Sequence, residues 1–355
     1  MNGKHKKIEE VIFLGAGASA ADGASTQHML FKDYFENYTP DHPWDNDLRQ
    51  FFMDFFGINT IDNLNHADFP TFEEVLGILE ISLNRYESFK NYPLIPQDPK
   101  VQKIREQIIF LIARTLKDKL RDGRPNHDAL ISRMKRHQLR TTAFVSLNYD
   151  ILIDNALTEK NDLIDLDYGI QFTNFDKKGD WHKPHVNRTT KLFKLHGSLN
   201  WLYCPTCISL TITPKEKSVA ALYHSTIADT PINCQCCQTK MIPIIIPPTF
   251  FKVMSNHFLQ QIWRETEKVL METKRIVFCG YSFPDADVHI KYLLKRVEVN
   301  RGTTPEIYIF NNHIGKPGEI KQQEKKRYER FFAEKRKVNY LDKSFEDFCN
   351  DGIIS

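Results

Sequence analysis

No apolar run in this chain of 355 residues approaches the roughly 20 residues needed to cross a bilayer. The opening MNGKHKKIEE lacks the apolar core of a secretory signal. Together these absences argue against a membrane-spanning or exported protein and set the expectation of a cytoplasmic one. A surplus of one charge is missing too. With 48 basic residues against 45 acidic ones and a net charge of +3, the balance points to neither a nucleic acid nor a membrane as partner. No segment is of low complexity, and 41% hydrophobic with 26% charged residues is the composition of an ordinary globular protein.

What is present is more specific. The length exceeds the roughly 100 to 200 residues of one usual domain, so a large domain carrying an inserted module is expected. Of the seven cysteines, five fall between Cys204 and Cys237. In a large chain without a signal sequence, that crowding points to metal rather than to disulfides. Cys204-x-x-Cys207 and Cys234-x-x-Cys237 supply the four thiolates of a tetrahedral structural zinc, which leaves no open position for catalysis. Cys236 could replace a ligand, but the spacing favours Cys237. Cys279 and Cys349 are assigned to no site, and Cys279 reads as a buried strand residue.

Near the N-terminus an apolar run, Ile8 to Leu14, stops at a Gly-rich turn. Gly15, Gly17 and Ala20 fit G-x-G-x-x-A, in which the first glycine permits the turn, the second admits a pyrophosphate and the small third residue packs helix on strand. A helix is expected from this turn to about residue 35. Further strands are read at 141–147, 191–195, 243–246, 275–279, 306–310 and 337–341, and helices at 127–138, 256–273, 286–298 and 318–336. This alternation predicts an α/β fold, a Rossmann-like doubly wound parallel sheet. Its parts are 1–35, 127–200 and 243–355. An aromatic-rich helical insertion occupies 36–126, its aromatics read as core, and a small zinc module built on the four cysteines occupies 201–242. Ligands of such sheets bind beyond the carboxyl ends of the strands, where the sequence places Asn148 and Asp150, His196, Gly280 to Ser282, and Asn311. The basic stretch from Lys316 to Lys337 contains glutamates at helical spacing and reads as a solvated helix face. Asp285 and Asp287 suit helix capping and stay outside the proposed site.

Five motifs in order resemble the sirtuin family. Gly15-Ala16-Gly17-Ala18-Ser19 looks like its GAG-x-S, Asn148-Tyr149-Asp150 like its N-I-D, and His196-Gly197 like its H-G. The two cysteine hooks follow, then Gly280-Tyr281-Ser282 like G-T-S, with Asn311 like the adenosine-side Asn. The family's deacylases continue into G-I-P-D-F-R, but here Ala24 to His28 follow Gly23 and the Asp-Phe-Arg element is absent. That departure resembles the bacterial branch that destroys NAD, associated with anti-phage defence.

The resemblance implies NAD as substrate, with the amides of Gly15 to Ser19 and Ser282 holding its pyrophosphate and Asn311 its adenosine ribose. Asn148 would position water and a ribose hydroxyl, and His196 would act as base or ribose partner. Asp150 would either face the nicotinamide or brace its loop. The expected reaction is NAD hydrolysis to nicotinamide and ADP-ribose; a protein-lysine deacylase and a non-catalytic NAD or ADP-ribose sensor are the alternatives. A homo-oligomer and a partner such as a HerA-type ATPase are expected, because an enzyme that drains NAD needs restraint.

Overall fold

The computed structural model describes residues 7–26, 29–37, 43–60, 64, 68–120, 123–159, 165–174, 181–182, 189–212, 232–245, 256–313 and 317–353. Its first half runs β1 (Glu10–Leu14), α1 (Ala16–Ala21), α2 (Leu30–Asn37), α3 (Pro43–Phe56), α4 (Phe72–Arg85), β2 (Leu94–Ile95), β3 (Asp98–Pro99), α5 (Lys100–Leu120), α6 (Pro125–Arg133), α7 (Arg136–Leu139), β4 (Thr142–Ser146) and α8 (Leu152–Glu159). There follow β5 (Asp165–Asp167), β6 (Phe172–Asn174), β7 (Trp181–His182), β8 (Thr189–Lys194), β9 (Gly197–Cys204), β10 (Ser209–Ile212) and β11 (Ile242–Ile245). The last third is α9 (His257–Glu272), β12 (Arg275–Cys279), α10 (Val288–Arg301), β13 (Glu306–Phe310), α11 (Gly318–Phe331), β14 (Val338–Leu341) and α12 (Phe345–Asp351).

Seven strands form one sheet in the order β14, β13, β12, β1, β4, β8, β5, and each pair in it is parallel. Without the edge strand β5, the sequence order across it is 3-2-1-4-5-6, the doubly wound arrangement whose switch point lies beside its first strand. Val11 to Leu14 are at most 1% exposed, as a strand covered on both faces must be. Phe13 packs on Phe278 of β12 at 4.9 Å between ring centroids.

One expected strand goes elsewhere. Residues 242–245 form β11, which pairs antiparallel with β9 in a second sheet ordered β11, β9, β10, β6, β7. The chain leaves the main sheet immediately after His196, because Gly197 takes φ +84° and a Cβ there would lie 2.0 Å from the Ile244 carbonyl oxygen. Only glycine permits that approach, and β9 then runs outward to Cys204.

The long helix expected after the Gly-rich turn is also broken. α1 ends at Ala21, Gly23 has φ +85°, and α2 begins only at Leu30. Asp22 explains the stop: its carboxylate accepts the backbone N–H of Asn126 (2.8 Å) and of His127 (3.1 Å) and pairs with His127 Nδ1 (2.5 Å). It thereby caps the start of α6 instead of letting α1 continue. Burial raises the Asp22 pKa, but His127 and the backbone donors outweigh it, so the carboxyl titrates below its ordinary 3.8. A depressed carboxylate gives stability that is present above the ordinary value and lost as pH falls through the depressed one. We expect Asp22→Asn to cost about 2 kcal/mol in urea unfolding at pH 7, the gap to wild type closing as pH falls below 3.8. An unchanged gap at low pH would refute the charge argument.

The inserted helices pack around their own core. Phe31, Phe51 and Phe52 are fully buried, with Phe51 and Phe52 edge-on at 5.6 Å, so these aromatics serve as core, as the sequence reading had it. Leu199 and Ile245 of the second sheet join this cluster, and Tyr149, just after β4, packs against it, so the insertion rests on the second sheet and on the end of β4. In α11, Gln322, Gln323, Lys325 and Lys326 are exposed, the solvated helix face expected of this stretch, with Lys325 paired to Glu329 at 3.8 Å. Among the described residues no helix is long and apolar enough to cross a membrane.

Candidate active site

The carboxyl ends of β1, β4, β8 and β12 converge at the switch point. Gly15 follows β1, Asn148 follows β4, His196 follows β8, and Gly280 follows β12. Gly15 N–H donates to the Cys279 carbonyl (2.9 Å) and Gly17 N–H to the Gly280 carbonyl (2.8 Å). A Cβ on Gly17 would meet Gly280 Cα at 2.8 Å. The bare face of Gly17 is therefore filled by the second Gly-containing turn rather than left open for a phosphate, and the glycines here serve to lock two strand ends together.

Asn148 ties the first turn to the end of β4. Its Nδ2 donates to the Gly15 carbonyl (2.9 Å) and to Ser19 Oγ (2.7 Å), so both amide hydrogens are engaged and Oδ1 is the group left to accept from a ligand. Ser19 Oγ donates to Asp150 Oδ2 (2.6 Å), and Asp150 Oδ1 accepts from Leu152 N–H (3.1 Å). Asp150 thus braces the turn, and with Ser19 it lines a small cavity of about 60 Å³ beneath Asn148. Below the turn, fully buried Lys194 donates to the Asp150 carbonyl and lies 3.3 Å from Asp154. Asp154 also accepts from Tyr168 OH at 2.5 Å, so the buried lysine charge is matched.

Above these groups opens a cleft of about 1100 Å³. Gly15, Ala16, Asn148, His196, Gly280, Ser282 and Asp287 line one side; the other is the insertion, through Phe56, Phe69, Glu73, Gly77, Ile78 and Ile81. Phe72, at the start of α4, packs edge-on against Tyr149 at 5.7 Å, and Tyr149 lies 6.3 Å from the His196 ring. Burial pushes the Tyr149 hydroxyl up, and the negative charges of Glu73 and Asp287 push it further, so it stays a neutral phenol.

Three expected ligand groups, Gly17, Ser19 and Asn311, fall outside the lining of this cleft, and so does Asp150; Ser19 and Asp150 line the small cavity instead. Gly17 is covered as described. Asn311, 7% exposed, spends its amide hydrogens on the Tyr281 carbonyl (2.7 Å) and on buried Glu324, leaving only Oδ1 to face a donor. Conversely, the sequence reading missed Glu73 and set Asp287 aside. Asp287 does stand at the N-cap of α10, but its carboxylate makes no cap bond; it accepts from Tyr281 OH at 2.7 Å. The Thr71 to Glu74 capping signature was available as a helix start, but nothing in its spacing shows which strand ends it covers.

The four cysteines gather away from the cleft. Their sulfurs all lie within 4.8 Å of one another, with Cys204 and Cys237 at 3.5 Å and Cys234 and Cys207 at 3.9 Å. Zinc–sulfur bonds of about 2.3 Å in a tetrahedron require sulfurs about 3.8 Å apart, so the set fits. Cys237 completes it, while Cys236 is exposed outside it. A hydrogen bond with Thr239, helped by one with Cys207, draws the Cys237 thiol down to about 6, a group ready to bind as thiolate. We expect one zinc per chain by elemental analysis, none in Cys204→Ser, and a Tm about 10 °C lower after chelation; metal-free protein with an unchanged Tm would overturn this.

A doubly wound sheet with a cleft at its switch point defines a nucleotide-binding type of α/β protein. Within that class the chain belongs to the SIR2-like domain family, whose model matches residues 142–341, from β4 through β14 and including Asn148, His196, the cysteines and Asn311. The Gly-rich turn lies before the matched range. Among solved structures, one of Sir2 with a p53 peptide and NAD+ is 12% identical, with 96% of this chain and 90% of that one covered and a TM-score of 0.36. A sirtuin structure addressing substrate affinity is 12% identical, with 97% and 93% covered and a TM-score of 0.44. One concerning the mechanism and regulation of Sir2 enzymes is 15% identical, with 92% and 94% covered and a TM-score of 0.39. No curated protein matches the chain.

Proposed function

We propose that the protein hydrolyses NAD, breaking the bond between nicotinamide and ribose and releasing nicotinamide and ADP-ribose. The observation that carries this reading is the meeting of Asn148 and His196, from two strands, with the Gly15, Gly280 and Ser282 turns in one cleft of about 1100 Å³. Clefts of about 300 to 1,000 Å³ hold ligands of drug or cofactor size. Cleavage of a glycosidic bond passes through an oxocarbenium-like sugar, so a site must hold the dinucleotide and aim an acceptor at the anomeric carbon. His196 takes the proton of the attacking water, and Asn148 Oδ1 accepts from that water or from a ribose hydroxyl. Ser282 and the N–H of Ala16, at the start of α1, face the pyrophosphate, and Asn311 Oδ1 accepts from the adenosine ribose.

Water as acceptor is supported by the cleft lining, which among the described residues contains none between Trp201 and Ile245, the metal-bearing region, and by the missing Asp-Phe-Arg element. The test is NAD loss by purified protein with product analysis. Nicotinamide with ADP-ribose is expected. O-acyl-ADP-ribose appearing only with an acylated peptide would make the protein a deacylase, and tight binding without NAD loss would make it a sensor.

The biological setting is an extension of the proposal: NAD depletion in bacterial anti-phage defence, held in check by self-association or by a partner such as a HerA-type ATPase. Full activity of a dilute monomer would refute that control.

A further inference from the structure

We infer that Lys194 is a positioning residue: its buried ammonium holds the Asn148 turn in register with His196, so that the two residues can act on one water. The inference rests on the hydrolase reading of the cleft above it.

Asn148 and His196 follow neighbouring strands, β4 and β8, whose ladder pairs Ser146 with Lys194. The end of that ladder is marked by the bond from Leu195 N–H to the Ser146 carbonyl, at 3.3 Å. Beyond it the two chains part, one into the turn at 147–151 and the other through Gly197 into β9. Side-chain and main-chain donors bridge the gap. Leu199 N–H donates to the Tyr149 carbonyl at 3.0 Å, and Lys194 Nζ donates to the Asp150 carbonyl. Both donors belong to the segment that carries His196, and both acceptors to the turn that carries Asn148. The Asp150 carboxylate in its turn accepts from Ser19 Oγ, which accepts from Asn148 Nδ2. A shift of residue 150 therefore reaches the Asn148 amide.

Of the two donors, the charged one is the costlier to bury. Lys194 is 0% exposed, and Asp154, which matches its charge, is 3% exposed. Asp154 gives one carboxylate oxygen to Lys194 at 3.3 Å and the other to Tyr168 OH at 2.5 Å. A buried ion pair adds little stability over an apolar pair of the same volume, because desolvation of the two charges offsets their attraction. Stability alone gives no reason for a lysine here, whereas the reach of its donor from β8 under the turn does. A displacement of about 1 Å between reacting groups can cost about a hundredfold in rate.

The test compares two double variants in which both charges are removed, so that neither leaves a buried charge unpaired. Lys194→Met with Asp154→Asn abolishes the donor, while Lys194→Gln with Asp154→Asn has a side chain of the same length that keeps an N–H. The Met variant is expected to melt within a few degrees of wild type, with kcat for NAD down about a hundredfold and KM within about threefold. The Gln variant should recover about tenfold of that loss. Amide hydrogen exchange of the ligand-free full chain is read beside turnover. Residues 148–152 should exchange about tenfold faster in the Met variant than in the Gln variant, with β1 and β12 alike in both. Lys191→Met, which breaks a partly buried pair with Asp167 on the same face of the sheet edge, is expected to leave kcat and exchange at the turn as they are. Wild-type kcat in the Met variant, or equal exchange at the turn in the two variants, overturns the inference. Two double variants that unfold alike would make the lysine merely structural and overturn it as well. A wild type that leaves NAD intact, with the exchange difference preserved, would sink the hydrolase and keep the positioning.

Discussion

His196→Ala is expected to lower kcat for NAD consumption by about two to four orders of magnitude and to leave KM nearly unchanged. The reasoning is local. His196 is 2% exposed and lines the cleft, so truncation enlarges the cleft and leaves the fold in place, while the water loses its proton acceptor. Asn148→Ala should differ in kind. It removes the donor to the Gly15 carbonyl and to Ser19, so a rate loss of similar size should come with a Tm lower by several degrees. Stopped NAD assays beside thermal melts distinguish the two. Wild-type turnover in His196→Ala would remove this residue from the chemistry.

Gly280→Ala should be among the most damaging methyl additions at the described glycines. At φ +61°, the new Cβ would lie 2.1 Å from the Ala18 amide nitrogen and 2.4 Å from the Gly17 carbonyl carbon, both main-chain atoms with no rotamer to relieve them. Left-handed strain of about 1 to 2 kcal/mol adds to the clash. A loss above about 4 kcal/mol is expected, read as insoluble protein or a collapsed denaturant midpoint. Gly302→Ala is the control: its φ is +71° but a Cβ there meets nothing within 4 Å, so only the strain should register. Equal stabilities for the two variants would show that close approach of the turns does not matter.

The sequence was most legible where one strand carries its own signal. Residues 275–279 and 306–310 read as apolar strands and fold as such, because a strand buried on both faces is apolar throughout. The cysteine cluster was equally legible, since hook spacing dictates the geometry. Contacts between distant segments left no such trace. Nothing near Gly17 shows that Gly280 fills its open face, nothing near Ala21 shows that Asp22 is drawn to α6, and nothing in 242–245 distinguishes an antiparallel partner of β9 from another strand of the main sheet. Glu73 was missed for the same reason: its spacing marks a helix start, and only packing of Phe72 on Tyr149 brings it to the strand ends.

The central place of β1 has a consequence for how the chain is made. Its partners on the two sides are β4 and β12, and the bond between Glu9 and Lys274 spans 265 residues. At about 5 to 20 residues per second, one edge of Val11 to Leu14 waits roughly 10 to 50 s for its partner to be synthesised. Until then it is an unpaired apolar strand edge of the kind that other chains add to. Newly made protein should therefore depend on chaperones until its last third emerges, and truncation before Arg275 should yield aggregates rather than a smaller folded domain.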